Sequence, residues 1–136
     1  MLVLLAIAEL LGMSLWFAGS AAAPLLRQQW ALTDAQVALL TTAVQLGFVA
    51  GTAASAILNL ADIVPAGRLF AACATLGAIA NAGLAVAPVP AVAVASRFLA
   101  GAFLAGVYPP AMKMAATWFR DRRGLAVGTV VGALTV

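Results

Sequence analysis

Two ionisable side chains stand inside long apolar runs: Glu9 in LVLLAIAELLGMSLW and Arg97 in AVAVASRFLAGAFL. A charge at membrane depth costs at least ~2.5 kcal/mol on insertion scales, so each calls for a partner or a wet cavity. Glu9 could take up a proton, and Arg97 could attract an anion or hold Glu9 ionised. Gln45 and Asn81 are secondary candidates, because uncharged polar side chains in such runs commonly hydrogen-bond neighbouring helices. With no histidine, one cysteine and four acidic residues (Glu9, Asp34, Asp62, Asp121), the chain lacks the usual means of building a zinc site or a nucleophile relay. No Gly-x-x-x-x-Gly-Lys-[Ser/Thr] loop offers a nucleotide site. The expectation is a protein that is not an enzyme and carries neither cofactor nor metal.

The surrounding composition defines the solvent. Hydrophobic residues make up 65% of the 136 and charged residues 8%, with a mean hydropathy of +1.13, which points to the lipid bilayer. The net charge of +3 is scattered between apolar runs without a basic stripe, so it indicates topology and not nucleic acid. Cys73 cannot form an internal disulfide and is most simply a small packed side chain. AGSAAA, Ala18 to Ala23, resembles a signal-peptidase site. No Lys or Arg precedes that apolar run and Glu9 interrupts it, so the run is taken as a span.

A helix needs ~20 mostly apolar residues at 1.5 Å each to cross ~30 Å of hydrocarbon. Four such windows occur, from about Leu2 to Ala23, Ala35 to Leu60, Arg68 to Ala87 and Ala91 to Met112. The first ends at Pro24, Thr33 and Asp34 can cap the second, and Pro88-Val89-Pro90 forms a tight turn before the fourth. A further apolar segment, 124–136, has too few residues to span. The fold expected is all-α and integral to the membrane, with four complete helices and a truncated fifth.

Positive flanks mark the cytoplasmic side. With the N-terminus inside, Arg68, Lys113, Arg120, Arg122 and Arg123 all fall inside and Arg27 alone outside, while Trp30 and Trp118 fall near opposite interfaces. On this arrangement the Cα atoms of Glu9 and Arg97 differ in depth by about 8 Å. Two readings stay open: both groups face a central polar pathway, or Glu9 sits in the inner headgroup region and Arg97 snorkels outward. Small residues at four-residue spacing (Gly47 and Gly51; Gly101 and Ala105; Gly124, Gly128 and Gly132) read as surfaces for close helix packing. Tyr108-Pro109-Pro110 should bend the fourth helix, either to serve a gate or only to shape packing.

Taken together, these residues resemble the N-terminal part of a major facilitator superfamily transporter. Between the second and third helices, NLADIVPAGRL carries Asp62, Gly67 and Arg68 of the family pattern Gly-x-x-x-Asp-x-x-Gly-Arg-[Arg/Lys]. Leu58 stands at the leading glycine position, Leu69 follows the arginine, and Gly67 comes two residues late. In the fourth helix RFLAG, Arg97 to Gly101, matches the pattern Arg-x-x-x-Gly. The resemblance implies inner-gate contacts for Asp62, Gly67 and Arg68, and a role for Arg97 in substrate or proton coupling. AGVYPPAMKMAATWFRDRRGLAVG is similar to the corresponding region of bacterial permeases, anion porters among them.

Family membership would further imply two six-helix bundles built from inverted repeats, of which this chain supplies part of the N-terminal one. It implies an end inside the fifth helix, a missing C-terminal half, a small-molecule or ion substrate and a bacterial cytoplasmic membrane. The rival reading is a small multi-spanning structural or assembly subunit whose glycine rows bind a partner's helices.

Overall fold

The computed structural model describes residues 2–119 and 123–133, and no strand occurs among them. The helices are α1 (Leu2–Trp30), α2 (Asp34–Ile57), α3 (Leu60–Ile63), α4 (Ala66–Ala85), α5 (Pro90–Leu104), α6 (Tyr108–Trp118) and α7 (Arg123–Ala133). Four stretches are long and apolar enough to cross a membrane: α1, α2, α4 and the α5–α6 pair taken together. Arg120, Asp121 and Arg122, on which part of the charge asymmetry rests, lie outside the described residues.

Helix ends depart from the sequence expectation for identifiable reasons. α1 runs through Pro24 to Trp30. Its last turn carries Leu26, which packs with Leu32, Leu40, Leu84 and Ala93 in a buried cluster at that end of the bundle. The helix then stops at Ala31, whose left-handed φ of 49° lets the Leu32 amide donate back to the Arg27 carbonyl at 3.2 Å. This is a six-to-one C-terminal closure with alanine at the position glycine usually holds. Thr33 opens α2 with a reciprocal box: its hydroxyl accepts from the Gln36 amide, and Gln36 Oε1 accepts from the Thr33 amide.

The fourth span breaks at Ala105-Gly106-Val107, ahead of the Tyr-Pro-Pro stretch itself. Pro109 and Pro110 occupy the first turn of α6, where a missing N–H costs nothing, but their rings would collide with the carbonyls of Ala105 and Gly106 in a continuous helix. The backbone instead closes three-residue turns, Gly106 to Phe103 at 2.9 Å and Val107 to Leu104 at 3.0 Å. Past the break, α6 continues to Trp118 because Ala111, Met114 and Ala115 pack with Leu5 of α1 and Ala126 and Val130 of α7.

α5 is the axis of the packing, with α2 and α4 against it. A Cβ on Gly47 would run into the Phe98 carbonyl, one on Gly51 into the Ala102 carbonyl, and one on Gly101 into the Val44 carbonyl. The α2 and α5 backbones therefore touch at glycine on both sides. On the α4 side, Gly83 faces Ser96 and Gly106 faces Cys73 with the same lack of room. Cβ atoms on Gly124, Gly128 and Gly132 would meet nothing within 4 Å, so the α7 row faces none of the described helices closely.

Candidate functional site

The buried face of α1 is a heptad-like stripe, Leu5, Glu9, Gly12, Gly19 and Leu26, with spacings of three, four and seven residues. Leu5 and Leu26 belong to the clusters at the two ends of the bundle. Between them the stripe carries Glu9 and two glycines, Gly12 facing Val107 at the α5–α6 break and Gly19 facing Arg97 of α5.

At the second glycine the α5 arginine meets α1. Arg97 is 0% exposed and its guanidinium spans three helices. Nη1 donates to the Leu15 carbonyl at 2.7 Å and to Asn81 Oδ1 of α4 at 2.8 Å, and Nη2 donates to the Trp16 carbonyl at 2.6 Å. Its Nε is buried and has no partner among the described residues. All three acceptors are neutral, so the cation is solvated by the protein without being compensated. Bonding of this kind offsets part of the cost of taking an ion out of water, but leaves the field of a full positive charge in a low-dielectric interior.

Glu9 is also 0% exposed, and neither carboxyl oxygen has a hydrogen-bond partner among the described residues. Leu15 and Trp16 lie six and seven residues beyond it, about 9 to 11 Å along the helix axis. Among the described residues the ion pairs are Arg27 with Asp34 at 2.7 Å and Lys113 with Asp62 at 3.6 Å. Neither involves Glu9 or Arg97, so no ion pair joins those two side chains among the described residues. Snorkelling does not describe Arg97 either, because its head points into the bundle.

The remaining candidates separate. Asn81 joins Arg97 directly, whereas Gln45 is exposed on α2 and makes no hydrogen bond among the described residues. Asp62 pairs with Lys113 of α6 and not with Arg68, which is exposed and without a described partner. The Lys113 ammonium also donates to the Ala61 carbonyl at 2.8 Å, so the α2–α4 connection is tied to α6. Gly67 is open, its nearest prospective contact being Met114 Sδ at 4.0 Å.

Sequence reasoning overlooked Gly19, Lys113 as a contact, and the Leu15 and Trp16 carbonyls. The heptad spacing of Gly12 and Gly19 on the Glu9 face could have marked Gly19; backbone acceptors carry no sequence signal. Trp16 also lines an open groove of about 220 Å³ with Met13, Phe48 and Tyr108, its indole edge-on to Phe48 with ring centroids 5.6 Å apart. No group of three or more His, Cys, Asp or Glu that could hold a metal ion occurs among the described residues.

A family model described as Major Facilitator Superfamily matches residues 4–136. No curated protein and no solved structure matches the chain.

Proposed function

Because the chain belongs to the Major Facilitator Superfamily, we propose that it forms part of the N-terminal bundle of a secondary transporter that moves a small anion by alternating access. The observation that carries this reading is the Arg97 guanidinium, fully buried and bonded, among the described residues, to neutral acceptors only. An uncompensated cation in a low-dielectric interior attracts a diffusing anion far more strongly than the same group in water. The groove lined by Trp16, the residue whose carbonyl accepts from Arg97, has room for a small solute. A second six-helix half completes the cavity, the excess of Arg and Lys in one set of connections supports an N-terminus on the cytoplasmic side, and the likeness to bacterial permeases suggests a bacterial inner membrane.

Glu9 supplies a proton-exchanging group on the same helix, separate from the anion-attracting charge. Asp62 with Lys113 couples α6 to the α2–α4 connection as the bundle rocks, and Gly67 and Arg68 stand beside that pair at the start of α4. Uptake by the complete transporter in liposomes tests the reading. Labelled nitrate, phosphate and short carboxylates are expected to accumulate and neutral sugars not. Arg97→Gln is expected to lower anion uptake by roughly tenfold or more, the scale of losing one buried charged contact. Unchanged anion uptake by the variant would remove the proposal.

A further inference from the structure

We infer that Gly19 is a positioning residue for Arg97: its missing side chain opens the gap in α1 through which the guanidinium reaches the Leu15 and Trp16 carbonyls. The functional weight of this inference rests on the reading that Arg97 acts in transport, whereas the geometry stands apart from it. A Cβ on Gly19 would lie 2.5 Å from Nε, 2.9 Å from Cζ and 3.1 Å from Nη2 of Arg97. Non-bonded heavy atoms settle at about 3.5–4.0 Å, so the head would have to withdraw. It cannot do so without loosening the hydrogen bonds of 2.6–2.8 Å to Leu15, Trp16 and Asn81.

The gap and the acceptors belong to one turn. Leu15 lies four residues before Gly19, so the carbonyl that receives Nη1 is the one over which the Gly19 amide sits in a regular helix. The unpartnered Nε faces Gly19 itself, where a side chain would otherwise stand. Gly77 of α4 provides the contrast. A Cβ there would meet Leu15 and Phe103 side-chain atoms at 3.5 Å, an ordinary contact, although it borders the same region.

The test uses the complete transporter with Gly19→Ala, Arg97→Ala, both together, and Gly77→Ala. Alanine favours a helix over glycine, so a general effect of these replacements is stabilising. Gly19→Ala is expected to lower the thermal unfolding midpoint by several degrees when Arg97 is present and not when it is Ala, whereas Gly77→Ala does not lower it. Nitrogen-15 NMR of arginine-labelled protein supplies a readout that loosened packing alone would not move. The slowly exchanging guanidinium signals assigned to Arg97, by their absence from Arg97→Ala, should persist in Gly77→Ala and vanish in Gly19→Ala.

Retention of those signals in Gly19→Ala, or an equal midpoint loss in both Arg97 backgrounds, would overturn the inference. If Gly19→Ala alone fails to accumulate, recovery in the double variant supports it and continued failure overturns it. Nitrate and phosphate uptake separates the two readings. Loss of the NMR signature in Gly19→Ala alongside anion uptake that ignores Arg97 leaves the seat in place and removes the transport role.

Discussion

A buried guanidinium with no carboxylate paired to it among the described residues survives at membrane depth because three oxygens from two neighbouring helices accept its hydrogen bonds. Glu9, about two turns before those carbonyls on α1, has no hydrogen-bond partner among the described residues, and the proton exchange proposed for it needs an ionisable carboxyl. An amide of the same shape cannot do that. Glu9→Gln in the complete transporter is therefore expected to fold normally and to lose the pH dependence of uptake, measured across the neutral range in liposomes. Uptake that responds to pH as before would assign coupling to another group. Both residues were legible in the sequence because a lone charge in an apolar run is conspicuous. The acceptors that hold Arg97 were not, since depth estimated from helix ends says nothing about which carbonyls an arginine will find. Asn81 stood out for the same reason as Arg97, but nothing local distinguished it from Gln45, which stays exposed on α2.

Helix pairing is where backbone contact decides stability. Gly47, Gly51 and Gly101 bring α2 and α5 together so closely that any added carbon meets main chain, which cannot rotate away. Gly47→Ala is expected to destabilise the bundle by about 1–3 kcal/mol, the usual cost of overpacking, while Gly128→Ala on the open face of α7 should not. Thermal unfolding in detergent compares the two directly, and equal midpoints would show that the α2–α5 contact can relax. The four spans were readable from length and hydropathy alone, since bilayer thickness fixes both. Their ends were less so. Ala31 adopts a left-handed conformation that sequence statistics assign to glycine, and α1 passes through Pro24 to bury Leu26. The break before Tyr108 falls where proline rings would strike preceding carbonyls, a turn earlier than the prolines themselves.

At the scale of the whole molecule, the apolar exterior and the asymmetry of charge make a topological prediction. In a variant lacking Cys73, a thiol introduced as Arg27→Cys should react with a membrane-impermeant reagent on intact cells, and one introduced as Arg68→Cys only after permeabilisation. The reverse pattern would invert the orientation proposed from the basic connections. The seat of Arg97 has one more consequence, for the order in which the chain is made. Leu15, Trp16 and Asn81 all precede Arg97 along the polypeptide. A ribosome working from the N-terminus delivers α1 and α4 before the arginine that they solvate. The segment carrying the charge therefore leaves the translocon into a site whose acceptors are already synthesised, and need not wait for any later part of the protein to shield it from lipid.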